Sequence, residues 1–219
     1  MKHIIILAVF AVVMTASCSN GDPATGDAGI PSGTYAIDPS HTSITFYYLH
    51  QGLSYPLLRA TSAAGELEYD AETIENSSVN VAIATDSIRS NIDYFDEELA
   101  SRKFFNADKF PHITFSSDSY EAVSENGGIV HGHVTIRGIS KSLELGVKMN
   151  GAMIHPIAKI PVLGFSATGS LSRSDFGLDR GVPVVSDAVG FRIEIEFLWG
   201  SNENSQAAVH AVAQSIGGS

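Results

Sequence analysis

From Gly33 to Gly200 the chain alternates apolar and polar residues with a period of two. The clearest run ends the region: Val189, Phe191, Ile193, Ile195, Phe197 and Trp199 interleave with Gly190, Arg192, Glu194, Glu196 and Leu198. A pleated strand sends successive side chains to opposite faces, so this run predicts one dry face and one mostly wet face. Leu143, Leu145, Val147 and Met149 alternate in the same way with Glu144, Gly146, Lys148 and Asn150. So do Val130, Gly132, Val134 and Ile136 with His131, His133, Thr135 and Arg137. Leu163, Phe165, Ala167, Gly169 and Leu171 form another dry face, and shorter ones pass through Ile44, Phe46 and Tyr48, through Val79, Val81 and Ile83, and through Ile113 and Phe115.

Turn chemistry separates the runs. Asn126-Gly127-Gly128 is suited to positive φ between two strands, and Gly138-Ile139-Ser140 separates two others. One stretch, Asn91 to Ser101, breaks the period. Ser90 or Asn91 is placed to cap it, acids fill its first turns, and Phe95 and Leu99 are spaced i, i+4, which predicts a short helix. The fold class that follows is all-β: an extended antiparallel barrel of about eight strands with one short helix, because long strands with one dry face must curl over it or pair with a second sheet. Such a barrel is either filled by side chains or open to one small ligand. Gly132, Ala167 and Gly169 are small residues in an otherwise bulky wall and leave space unless large residues opposite fill it; the pattern alone leaves both readings open.

The first segment has a different character. Met1-Lys2-His3 precedes an apolar run from Ile4 to Met14, too short to span a membrane and suited to a secretory leader. Thr15-Ala16-Ser17-Cys18 then resembles the bacterial lipoprotein box, with Thr15 where Leu is usual; an ordinary secretory signal cut at a nearby small residue is the alternative. Cys18 is the sole cysteine, so it is the expected lipidation site and no disulfide within the chain can form. The expected organisation is a leader over 1–17, a flexible tether carrying the lipidated Cys18 over 18–32, the barrel over 33–200, and a loose polar tail over 201–219. The Gly- and Pro-rich tether has a reach of about 20 Å. Ser19, rather than Asp, follows Cys18, which favours the outer membrane, facing the periplasm of a bacterial cell envelope.

Composition narrows the classes of partner. With 44% hydrophobic and 17% charged residues the chain is neither disordered nor coiled coil. The formal net charge of −11 argues against nucleic acid and against docking on anionic headgroups.

Several blocks of the barrel region resemble the YceI-like family. They are Tyr35-Ala36-Ile37-Asp38-Pro39-Ser40-His41-Thr42-Ser43-Ile44-Thr45-Phe46 with His50 beyond it, Gly65 to Asp70, Phe104 to Phe115, Gly132 to Lys141, Arg173-Ser174-Asp175-Phe176-Gly177-Leu178, and Ser186 to Val189. The resemblance implies a lipocalin-like barrel around an apolar channel that holds a polyisoprenoid chain or a similar amphiphilic lipid. It carries over no catalytic residues. The channel candidates are Phe46, Val134, Ile136, Leu145, Val147, Phe165, Ala167, Gly169, Phe191, Ile193 and Ile195. One departure falls at Tyr55 to Ala64, where the family usually has a Gly-x-Phe segment.

Other chemistry is weaker. His131 and His133 share a strand face about 7 Å apart, but Arg137 shares it too and repels a cation, so a solvated surface is the expectation rather than a metal site. Glu97 with Glu98, and Glu194 with Glu196, sit on wet faces, whereas a general acid needs a desolvated carboxyl. Arg173, Asp175, Asp108 and Lys109 are read as loop pins in preference to partners of a ligand head. The Asn76-Ser77-Ser78 sequon is moot behind a bacterial signal. The expectation is therefore a binding module with no catalytic set, no metal and no cofactor other than a bound isoprenoid lipid. Membrane attachment runs through the anchor, and self-association into a homodimer stays open. The competing class is a structural or interaction barrel with a filled core; a membrane-spanning barrel is a third. On the anchoring reading, Cys18→Ala leaves an unprocessed precursor that takes up no radiolabelled fatty acid; incorporation by that variant counts against it.

Overall fold

The strand segments follow the chain as β1 (Gly33–Ile37), β2 (Ser43–His50), β3 (Leu57–Ala60), β4 (Ala63–Tyr69), β5 (Ser78–Ala84), β6 (Ile88–Arg89), β7 (His112–Ser124), β8 (Gly127–Ile136), β9 (Ile139–Ile154), β10 (Pro161–Ser172) and β11 (Val185–Trp199). One helix, α1 (Asp93–Ala100), lies between β6 and β7. This computed structural model describes residues 29–200; the expected leader, Cys18 and the polar tail lie outside them.

Around the sheet the order is β1-β4-β5-β7-β8-β9-β10-β11, and β11 returns to β1 through Ala36 opposite Leu198 and Ile37 opposite Phe197. The ring is a closed antiparallel barrel of eight strands. The remaining segments are continuations: β2 runs on from β1 along β11, β3 leads into β4, and β6 runs on from β5. Three neighbouring strands are thus interrupted at one level, at Pro39–His41, at Thr61 and Ser62, and at Thr85–Ser87. The interruptions bond to one another. Thr61 N–H donates to Ser87 O (3.2 Å), Ser62 N–H to Ser87 Oγ (3.2 Å) and Ala84 N–H to Ser62 O (3.0 Å).

Pro39 has no N–H to give a ladder, and Asp38 organises the bend around it. Its Oδ1 accepts from Ser40 N–H (2.8 Å), its Oδ2 meets His41 Nδ1 (2.6 Å), its N–H donates to Glu196 O (2.8 Å), and its carbonyl accepts from Thr42 Oγ1 (2.7 Å). Asp38 is buried, as a fully bonded carboxylate can be.

The core divides between the two ends of the barrel. At the α1 end, Ile44, Ile88, Leu99, Ile136 and Phe176 form one cluster, with Phe95, Phe104 and Phe105 packed on it. At the other end Tyr35, Ile37, Leu163 and Phe197 form a second. Full burial of such side chains contributes about 1.5–3 kcal/mol each. Tyr35 is entirely enclosed, edge-on to Trp199 (5.1 Å) and Tyr69 (6.0 Å). Its hydroxyl donates to Pro31 O (2.7 Å), and burial pushes its pKa up to about 12. Ile30 packs on the same cluster, and Ser32 Oγ accepts from Ala71 N–H (2.8 Å). The packed region therefore begins ahead of Gly33, inside the stretch read as tether, because its one large apolar residue finds an apolar surface.

Local details depart from the sequence pattern. The β8–β9 turn is two residues, Arg137 and Gly138, with φ of 53° and 75°. Positive φ at both central positions makes it a type I′ turn, whose twist matches the strands, and it places Ile139 and Ser140 inside β9. Gly127 and Gly128 are not a positive-φ turn; they open β8, and the turn sits on Glu125 and Asn126. Gly128 serves close approach instead, since a Cβ there would collide with the Glu121 carbonyl and the Tyr120 ring. Neither Ser90 nor Asn91 caps α1: Ile92 occupies the cap position, and Asp96 reaches back to accept from Ser90 N–H (2.6 Å) and Ser90 Oγ (2.5 Å).

The strand bend yields a prediction. Asp38→Ala lowers stability by about 1–2 kcal/mol in chemical denaturation, the cost of a lost cap. The hydrogen bond to Asp38 raises the His41 pKa above its ordinary 6.5. Protonation is thus favoured in the folded state, so its contribution is fully present below about pH 6.5 and is lost as pH rises through the raised value. Thermal midpoints of wild type and His41→Gln converge over that rise; a constant gap from acid to alkaline pH contradicts the assignment.

Candidate functional site

The dry faces point into the barrel, but they do not fill it. Between the two end clusters runs an apolar cavity of about 760 Å³, within the range of about 300–1,000 Å³ typical of small-molecule sites. The filled-core alternative does not describe this interior. The outer face carries the alternate residues, among them Glu144, Lys148, Ser166, Thr168, Arg192 and Glu194. A lipid-spanning barrel has the opposite arrangement, apolar outside and polar within. Among the described residues no helix is long and apolar enough to cross a membrane.

Ten of the channel candidates line this cavity. Phe46 stands on β2, Val134 and Ile136 on β8, Leu145 and Val147 on β9, and Phe165 and Ala167 on β10. Phe191, Ile193 and Ile195 come from β11. Gly169 does not line it. The Phe191 ring, directly across the ladder, folds over Gly169, and a Cβ there would lie 2.5 Å from Cζ of that ring. Gly132 is covered likewise by Phe115, at 2.6 Å. The glycines thus accommodate flattened aromatic rings rather than leave open space, which decides the alternative left open at both and removes Gly169 from the channel candidates. The cavity exists because the ring is wide and the side chains of its two clusters line the wall without filling the middle.

Sequence periodicity missed part of the wall. A bulge between Ser117 and Ser119 shifts the register of β7, so Ser117 faces inward before it and Tyr120, opposite Val130, faces inward after it. Inward serines carry no hydrophobic signal, so alternation does not find them. The rim at the β1 end is polar, with Ser77, Ser117, Ser124, Glu125 and Asn126. The rim at the α1 end is made by His50, Pro56, Ile92, Tyr94, Arg180 and Val185. Phe95, Leu99, Phe104 and Phe105 floor that end, contributed by α1 and the loop after it.

Arg173 is a pin that also borders the cavity. Its Nε donates to Ser186 O (2.9 Å), its Nη1 to Leu178 O and Arg180 O (2.9 Å to the latter), and its Nη2 to Val185 O (3.1 Å). Burial lowers its pKa, opposed by Asp187 and Asp179. Asp187 locks the adjoining turn by accepting from Ser174 Oγ (2.7 Å) and N–H (2.8 Å), bonds that hold its carboxyl below the usual range. Asp175 and Asp108 are exposed, and Lys109 lies over the Phe110 ring at 5.1 Å. Arg180 also borders the mouth, exposed, paired with Glu98 (3.4 Å) and over Phe104 (5.8 Å).

The remaining polar candidates lie outside the channel. His131 sits between Glu121 (3.6 Å) and Glu144 (3.5 Å), and His133 meets Asp118 (2.7 Å). Glu194 accepts from Ser166 Oγ (2.5 Å) and pairs with Arg192, which together hold its pKa down. Glu97 is exposed on α1. Among the described residues one trio of metal-type donors converges within 4.8 Å, Asp38, His41 and Glu196, but both Asp38 oxygens already serve the strand bend.

These positions separate wall from packing. Ala167→Leu projects into open volume, so its thermal midpoint stays near wild type while apolar ligand capacity falls. Gly169→Leu strikes the Phe191 ring and costs about 1–3 kcal/mol as overpacking. Equal destabilisation by both variants contradicts the open channel at Ala167.

The chain matches the family model described as YceI-like domain over residues 35–197. A UPF0312 protein of Shewanella baltica (strain OS185) is 30% identical over 164 residues, covering 74% of this chain and 85% of that protein. The crystal structure of a Campylobacter jejuni YCEI protein superposes with a TM-score of 0.64 at 26% identity, covering 70% of this chain and 90% of that one. A polyisoprenoid binding domain from Saccharophagus degradans, implicated in plant cell wall breakdown, shares the fold with a TM-score of 0.57 at 12% identity, covering 75% of this chain and 97% of that one.

Proposed function

The chain belongs to the YceI-like domain family, and from that premise we propose that it is a binding protein of the bacterial cell envelope that holds a polyisoprenoid or similar amphiphilic lipid in the barrel. The observation that carries this reading is the apolar cavity of about 760 Å³ running between the end clusters. An apolar cavity lacks the two to four polar partners that a stable water needs, so it favours an apolar guest. At about 0.8 kcal/mol per buried methylene, a chain on the order of 20 carbons offsets an immobilisation cost of about 4–15 kcal/mol. The binding named for the Saccharophagus domain, which has the same fold, supports the ligand class.

The polar head of an anionic guest belongs at the α1 end. Arg180 is an accessible cation on that rim, which also carries His50, whereas the other rim presents Glu125 among serines. Catalysis has no place in this reading: His131, His133 and Glu194 face outward in ion pairs away from the channel, and His50 and Glu125, which do border it, stand at opposite rims. Acylation at Cys18 anchors the protein to the outer membrane on its periplasmic side, and the barrel stays within tether reach of the bilayer.

Native mass spectrometry of the protein purified from bacterial membranes, followed by solvent extraction, tests the ligand. The expected result is a bound species that releases on extraction and is identified as an isoprenoid-type lipid. A ligand-free spectrum, together with no uptake of a fluorescent polyisoprenoid analogue, contradicts the reading.

A further inference from the structure

We propose that the α1 end of the barrel is a bilayer-docking face through which the channel exchanges its lipid with a membrane. The proposal rests on the lipid-binding reading for its purpose, but its surface is visible without it. Leu53 (82% exposed), Tyr94 (74%), Tyr55 (64%) and Val184 (63%) project from this end, and Ile92 is also exposed. They belong to three neighbouring segments. Gln51 N–H donates to Val184 O (3.1 Å), which ties the β2–β3 hairpin to the loop before β11, and Tyr55 packs edge-on against Tyr47 at 6.3 Å. Ile92 and Tyr94 also line the cavity, so part of the exposed apolar surface continues into the channel.

Charge selects the occupant. The segments that build this end, 51–60, 85–112, 136–142 and 172–187, contain nine Lys and Arg and nine Asp and Glu. The rest of residues 29–200 contains three against twelve. The net charge that argues against anionic headgroups for the whole chain is therefore concentrated away from the α1 end, which is neutral and repels no headgroup. Tyrosines with aliphatic neighbours suit the boundary between headgroups and acyl chains, where one end of the ring is dry and the other wet. A second exposed apolar group, Met153, Ile154 and Ile157, lies on the β9–β10 hairpin, which carries Lys148 and Lys159 and no acid, and does not line the cavity. It is the internal control.

The test is flotation with phosphatidylcholine vesicles, using Ser19 to Ser219 produced in the cytoplasm so that neither leader nor acyl chain contributes. The parent chain floats, and its binding changes little with salt because the contact is apolar. Leu53→Asp with Tyr94→Asp lowers the partition constant by about tenfold or more. Met153→Asp with Ile157→Asp leaves it unchanged. All three proteins keep one thermal midpoint, since every substituted side chain is exposed. No flotation of the parent, equal flotation of the Leu53/Tyr94 variant, or equal loss in both variants overturns the proposal. So does a parent dimer in sedimentation that the Leu53/Tyr94 variant abolishes, because the face is then a contact between copies. Lipid content of protein from membranes is scored separately. Flotation without any bound lipid upholds the face and removes the lipid-carrier reading; bound lipid without flotation does the reverse.

Discussion

The pairing of β11 with both β1 and β2 is the contact on which the rest depends. One long strand serves two partners: its first part runs along β2 and its last residues close the ring on β1. A barrel with an unfilled middle lacks the central core that holds most domains together. Its cohesion must come from an unbroken ladder around the wall and from packing at the two ends. Closure leaves no free edge in the eight-stranded ring, which removes the usual site of strand addition and satisfies backbone groups around the wall. The enclosed Tyr35, Ile37, Leu163 and Phe197 gather at that seam, where apolar burial reinforces the hydrogen bonds.

The other end is built differently. Three adjacent strands bend at one level, and above the bend the wall consists of the short β2, β3 and β6 segments, α1 and the loop that Arg173 ties down. Bending lets this part lean over the channel, and the aromatic side chains of α1 and the following loop provide its floor. The four carbonyl contacts of Arg173 tie the loop at the mouth to the start of β11 with one buried side chain, which occupies that guanidinium and takes it out of ligand chemistry. Arg180, a few residues on, remains accessible.

Net charge is informative only once it has a location. Taken over the whole chain, −11 speaks against docking on anionic headgroups. Mapped on the barrel, the excess acid lies along the outer strands and toward the β1 end, while the α1 end is balanced and carries the exposed Leu53, Tyr55, Tyr94 and Val184. An acidic body with a neutral, apolar tip orients itself: the body stays in solvent and the tip is the part free to approach a bilayer.

Period-two alternation determined the long strands β8 to β11, with β2, β5 and the start of β7, and the inward face of each, because side-chain direction in a strand is a local property and hydrophobicity reports it directly; a break in the period marked the helix. That is why Phe46, Val134, Leu145, Ala167 and Ile195 were legible as wall. Only the tertiary structure decided what the pattern cannot encode. Gly169 and Gly132 look like space in the sequence, yet Phe191 and Phe115 on neighbouring strands lie over them. The β7 bulge turns Tyr120 inward, and inward serines are silent to a hydrophobic period. Whether the middle is open depends on how many strands close the ring and how far apart its ends are stoppered. Those are distances between segments remote in the chain, and local alternation contains no term for them.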